Sequence, residues 1–170
     1  MSSKRFYTIP FVWSKTVWVM TFAIFGLWIG GSAFLLYKFF VEGDGTAPLV
    51  ELVVLNAVML PTILLSEGYA PQRLEVGEDR IVILRRYKSV VILREEVKSV
   101  ERLPDNALRF ALRTGGVGGL FGYFGSYHSG SIGAFSLYAT SKKNLFLIRK
   151  WSGENVVISC AEPDKMDIFL

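Results

Sequence analysis

Two apolar helices crossing a membrane as a hairpin, followed by an all-β barrel or sandwich closed by a C-terminal helix, is the fold class this sequence predicts. Three observations predict it. Residues 16–37 form an uncharged run of 22 residues, and a second mostly apolar run covers 46–66. Beyond residue 70, β-branched and aromatic residues recur in short alternating segments separated by turn residues. The chain therefore divides into an N-terminal hairpin at 1–69, with spans at about 14–40 and 47–66, and a domain at 70–170. A hundred residues suffice for a small independent core.

Composition narrows the function classes. Of the 170 residues 51% are hydrophobic, and the net charge of +4 is too small and too dispersed for a nucleic-acid binder, while it suits a protein beside anionic lipid. A single cysteine, Cys160, excludes an internal disulfide, and with one histidine the chain lacks the ligands of an ordinary zinc site. No acid/base pair, nucleophile or cofactor motif emerges, so the protein reads as a non-enzyme without cofactor or metal.

The first run is about 33 Å long as a helix, enough to cross a hydrocarbon core. Trp13, Lys15, Trp18, Tyr37 and Lys38 stand near its ends as interfacial anchors. It is too long for a signal-peptide core, and no small-residue cleavage site follows. The second run carries Glu51, Asn56 and Pro61; Glu51 is near enough to the preceding turn to reach headgroups, and Pro61 predicts a kink. The link Glu42–Pro48 is short and has no Lys or Arg, whereas Lys4, Arg5 and Lys15 precede the hairpin and Arg73, Arg80, Arg85 and Arg86 follow it. That bias predicts both termini in the cytoplasm. Ala23, Gly26, Gly30 and Ala33 lie on one helix face and include a GxxxG spacing, suited either to packing on the second span or to a homodimer contact.

In the second half, Arg80–Leu84 and Ser89–Leu93 predict a hairpin around Arg85-Arg86-Tyr87-Lys88; Val97, Val100 and Leu103, spaced by three, suit a strand ending or a helical turn, of which the strand is preferred. Pro104-Asp105-Asn106 is a turn. Leu108, Phe110 and Leu112 alternate with Arg109, Ala111 and Arg113 and predict a strand with one wet face. The stretch 115–140 holds half of the sixteen glycines, spaced by aromatics, with no charge from Thr114 to Ser141. Its run Gly115–Gly119 predicts a flexible connection, and Gly122 and Gly125 predict bulges or bends. Phe135, Leu137 and Ala139 alternate in a strand; Leu145–Lys150 and Asn155–Ser159 form a pair around Trp151–Glu154. Pro163 and Asp164 predict the start of a closing helix with Met166, Phe169 and Leu170 on its apolar face.

Several of these segments carry a family resemblance. Arg80-Ile-Val-Ile-Leu-Arg85, Val90-Val-Ile-Leu93 and Val97-Lys-Ser-Val-Glu101 resemble the opening strands of bacterial pleckstrin-homology-like domains. Gly119-Leu-Phe-Gly-Tyr-Phe-Gly125, Leu137-Tyr-Ala-Thr140 and Val156-Val-Ile-Ser159 with Pro163-Asp164 sharpen the likeness to a group with a glycine-aromatic segment and an "LYAT"-like strand. Cys160 stands where that group has proline. The resemblance covers roughly 70–170 and implies a PH-like fold and a membrane setting, with no catalytic residues.

Candidate sites follow. Leu120, Phe121 and Phe124, at an expected loop tip, suit contact with a bilayer or a partner. Arg85, Arg86 and Lys88 occupy a hairpin turn of the kind that binds anionic headgroups in PH-like domains of other lineages. Gly115–Gly119 lacks the Gly-Lys-Ser/Thr ending of a phosphate loop. His128 reads as a polar loop residue and Cys160 as a small core residue. The function this supports is a membrane-anchored module that recruits or organises a protein partner, or a second copy, at the bacterial inner membrane. The alternative is anionic lipid sensing by the Arg85–Lys88 turn.

Overall fold

The computed structural model describes residues 6–167 and Phe169. Lys4 and Arg5 of the expected flanking cations, and Ile168 and Leu170 of the expected closing helix, lie outside the described residues.

The chain opens on a strand, β1 (Phe6–Pro10), that sequence reading folded into the hairpin segment. Ser14 then caps α1 (Lys15–Tyr37) by accepting a hydrogen bond from the Val17 amide at 3.4 Å. A π-helical turn, Lys38–Glu42, and the left-handed Gly43 and Gly45 reverse the chain into α2 (Ala47–Tyr69). Pro48 sits in the first turn of α2, where a missing N–H is harmless, and the helix continues through Pro61. Both helices are long and apolar enough to cross a membrane, and only 6% of each apolar window is buried, unlike the core helix of a soluble domain. The Trp28 indole N–H donates to Asn56 Oδ1 at 3.2 Å, and Asn56 donates to the Leu52 carbonyl, so the polar residue of the second run is satisfied between the helices.

Nine more strands follow: β2 (Arg73–Gly77), β3 (Arg80–Leu84), β4 (Val90–Leu93), β5 (Val97–Leu103), β6 (Leu112–Gly118), β7 (Tyr123–Ser129), β8 (Gly133–Ala139), β9 (Leu145–Lys150) and β10 (Asn155–Ser159). They form two sheets, ordered β1-β2-β3-β4 and β5-β9-β10-β8-β7-β6. All neighbours are antiparallel except β10 and β8. Ile9, Leu74, Val76, Ile81, Ile83 and Ile92 of the first sheet pack on Phe146, Ile148, Val156 and Ile158 of the second. Burying each such side chain contributes about 1.5–3 kcal/mol. The other face of the second sheet is covered by Leu108, from the loop between β5 and β6, and by Trp13 and Val17 around the start of α1.

Four expectations need correction. Of the expected barrel or sandwich, the sandwich forms and the barrel does not: after β4 a 3₁₀ turn, Arg94–Glu96, redirects the chain so that β5 pairs with β9 rather than with β4. The described end of the chain forms a 3₁₀ turn, Pro163–Met166, in place of a closing helix; Met166 and Phe169 plug the sandwich from tight i→i+3 turns. Residues 104–111 run through successive turns rather than a strand, which leaves Leu108 buried but Phe110 and Leu112 81% and 71% exposed. The glycine run 115–118, expected as a connection, belongs to β6.

Candidate functional site

The two helix ends emerge beside each other, because the chain enters α1 from β1 and leaves α2 into β2, and these strands pair. The Phe11 amide donates to the Gln72 carbonyl at 3.1 Å, joining the segments before α1 and after α2. The Ser14 amide donates to the Thr140 carbonyl at 3.0 Å, and the Thr140 hydroxyl donates to Val12 at 2.9 Å. The β8–β9 connection is thereby fixed at the start of α1, with the exposed Lys142 above the Tyr123 ring at 5.0 Å.

The β3–β4 turn is seated on the end of α2. The Tyr87 amide donates to the Gly68 carbonyl at 3.1 Å, and the Tyr87 ring occupies the space that a Cβ on Gly68 would take. Arg86 pairs with Glu67 at 2.8 Å, and that carboxylate raises the guanidinium further above its ordinary value. Arg85 is held differently. Its Nε donates to the Lys88 carbonyl, and its Cζ lies 5.6 Å from the Tyr69 ring and 5.3 Å from the Tyr138 ring. Beside it is a cavity of about 270 Å³ whose walls are Leu65, Ser66 and Tyr69 of α2, Val117 of β6, Phe124 of β7 and Tyr138 of β8. Its floor is bare backbone, because Gly116 and Gly125 are register partners and a Cβ on either would meet the opposite strand.

The β6–β7 turn is seated on α1. The Phe121 amide donates to Thr21 Oγ1 at 3.2 Å, its ring meets Trp13 and Phe25 edge-on at 5.8 and 6.2 Å, and a Cβ on Gly119 would lie 3.4 Å from Met20. Phe121 takes φ 58°, unusual for a non-glycine residue. Leu120 and Phe124 are 6% and 5% exposed, so neither stands on the outer surface, and Phe124 is reached only through the cavity it lines; Phe121 is half-buried against the helix.

A family model described as Bacterial PH domain matches residues 72–170. The chain belongs to the bacterial PH domain family. Among curated proteins none matches the chain, and among solved structures none does. PH domains are in general binding modules for protein or lipid, not catalysts. In this bacterial PH domain the match starts beside β2, so β1 lies outside it although it completes the first sheet.

The other residues singled out by the sequence are scattered. Ala23, Gly26, Gly30 and Ala33 are all exposed, and nothing stands within 4 Å of a Cβ on Gly26 or Gly30; Gly31, not in that set, faces Leu55 of α2. His128 is exposed on β7, opposite Leu112. Cys160 is buried, its thiol donates to the Glu162 carbonyl, and burial pushes its pKa up. Among the described residues no group of three or more His, Cys, Asp or Glu is placed to hold a metal ion. Sequence reading missed the tyrosine cradle of Arg85. Tyr69 and Tyr138 reach it from residues 16 before and 53 after, a meeting with no local pattern to announce it.

Proposed function

We propose that this protein is a non-enzymatic module of the bacterial inner membrane. It crosses twice with both termini in the cytoplasm, and its PH domain engages anionic lipid at the point where the helices leave the bilayer. One observation supports the reading: the β3–β4 turn is bonded to the last residues of α2, at Gly68 and Glu67; with α2 spanning the bilayer, Arg85 and Lys88 reach headgroup depth. Of the three cations in the turn, Arg86 is neutralised by Glu67, while Arg85 and Lys88 are left to act on lipid. A cation at that depth contributes about 1 kcal/mol of attraction to acidic lipid, screened by salt. The exposed Lys142 and Lys143, tied to the start of α1 through Thr140, extend the same basic collar.

The reading is tested with the full chain in vesicles of phosphatidylcholine and phosphatidylglycerol carrying a spin-labelled lipid of either kind. The expected result is a larger motionally restricted fraction for phosphatidylglycerol, reduced by salt and by Arg85→Gln with Lys88→Gln. Equal fractions for the two lipids in the wild-type protein would sink it.

Recruitment of a protein partner is a second reading, and a different observation favours it. A groove of about 630 Å³ runs between Val90, on β4 whose outer edge has no strand partner among the described residues, and the small polar residues Thr114, Ser126 and Ser136 of the second sheet. An open strand edge beside a groove suits an added strand. Leu120, Phe121 and Phe124, the contact first expected, are engaged within the chain and do not serve it.

A further inference from the structure

We propose that the cavity beside Arg85 is a binding site for one phospholipid molecule per chain, with the phosphate on the Arg85 fork and the start of an acyl chain against Phe124 and Val117. This deepens the lipid reading above and rests on it; a collar of surface cations attracts lipid without holding any particular molecule, whereas a cavity holds one.

The cavity's shape and chemistry point to this ligand. Its walls are mostly apolar, and Arg85 is the one charged residue among them. The guanidinium is pre-set: Nε is tied to the Lys88 carbonyl and the group lies between two tyrosine rings, which leaves the two Nη nitrogens as donors. Among the described residues no carboxylate pairs with it. A guanidinium so fixed presents two parallel N–H bonds that match phosphate oxygens. Gly116 and Gly125 contribute bare backbone to the cavity's lining, and a Cβ at either would collide with the opposite strand.

Continuity with the helix surface settles the occupant. Leu65 and Tyr69 line the cavity and are also 54% and 40% exposed on α2, next to the exposed Leu64. An acyl chain lying on that apolar face passes into the cavity without crossing water. A soluble anion would satisfy Arg85 but leave the Phe124–Val117 wall unfilled, and a peptide would have to enter through lipid.

The test uses the full chain in mild detergent and native mass spectrometry with added phosphatidylglycerol or phosphatidylcholine. The expected result is one retained phosphatidylglycerol, with retention of phosphatidylcholine at least several-fold lower. Arg85→Gln is expected to abolish that preference and Arg85→Lys to restore part of it. Ser66→Phe and Val117→Phe, which fill the cavity from opposite walls without altering charge, are each expected to remove the retained lipid. Because either variant can disturb the fold, the wild-type protein is also labelled with a phosphatidylglycerol bearing a diazirine high on one acyl chain. Labelling of the peptides that hold Leu65 and Val117 or Phe124 supports the site; labelling confined to α1 and to the rest of α2 overturns it. Lipid retention by both cavity-filling variants overturns it too. In either failure the spin-label selectivity described above still decides the surface reading on its own.

Discussion

Phe121 is the residue at which conformation and packing pull in opposite directions. Its backbone lies at φ 58°, which costs an L-residue roughly 1–2 kcal/mol, yet its amide and ring are both engaged by α1. Removing the ring loses the contacts with Trp13 and Phe25 whatever replaces it. Phe121→Gly is therefore expected to be less destabilising than Phe121→Ala, the reverse of the usual order, by roughly 1 kcal/mol. Thermal unfolding of the two variants in one detergent checks this; alanine as the better replacement would contradict it. Cys160 makes a second residue-scale claim. Burial raises the pKa of its thiol above the ordinary 9.0, so the folded state holds its proton more tightly than the unfolded chain. Its stabilising effect is complete below about pH 9 and declines as pH rises through the folded-state value. Alkylation by a maleimide at pH 8 is expected to be slow in the folded protein and fast after denaturation. Equal rates would show the thiol to be exposed.

At the scale of elements, β1 and α1 each carry a consequence. β1 pairs with β2 along five residues and brings Ile9, 1% exposed, into the core between the sheets. A chain that begins at residue 70 exposes the edge of β2 and opens the wall that Ile9 forms, so it is expected to aggregate where the full chain is dispersed in detergent. Ile9→Ala in the full chain is expected to cost roughly 2–5 kcal/mol in unfolding free energy. A soluble, cooperatively folding 70–170 fragment would show β1 to be dispensable. On α1, a Cβ at Gly31 would sit 3.6 Å from Leu55, whereas one at Gly30 meets nothing within 4 Å. Gly31→Leu is expected to lower the melting temperature of the helix pair and Gly30→Leu to leave it nearly unchanged, since only the first drives a large side chain into α2.

For the whole molecule, the helices and the sandwich are joined on two sides: the β6–β7 turn on α1 through Thr21, and the β3–β4 turn on α2 through Gly68 and Glu67. The helices and strands were legible in the sequence wherever the pattern is local. The uncharged run before Lys38 forms the helix its length implies, and Phe135, Leu137 and Ala139 are buried as their alternation implies. β1 was hidden because Phe6–Pro10 is short and its partner lies across both helices. The alternation at Leu108, Phe110 and Leu112 misled because the loop must cross one face of the second sheet, which buries Leu108 and turns the other two outward. The candidate site was half legible. The cations of the β3–β4 turn stand together in sequence, but the helix end and the tyrosines that give Arg85 its setting arrive only through the folded topology.

In the proposed arrangement the β3–β4 turn lies at the depth of lipid headgroups. That placement is tested most directly by nitroxides placed singly at positions 88 and 112 of the full chain, with Cys160→Ser, in phosphatidylglycerol-containing vesicles. Their collision rates with oxygen and with a water-soluble nickel complex report depth. Leu112 begins the strand that runs to the α1-seated turn, about 20 Å away at the rise of a β-strand. The expected result is a label at 88 at phosphate depth and a label at 112 in bulk water. Both labels equally accessible to the nickel complex would contradict the account.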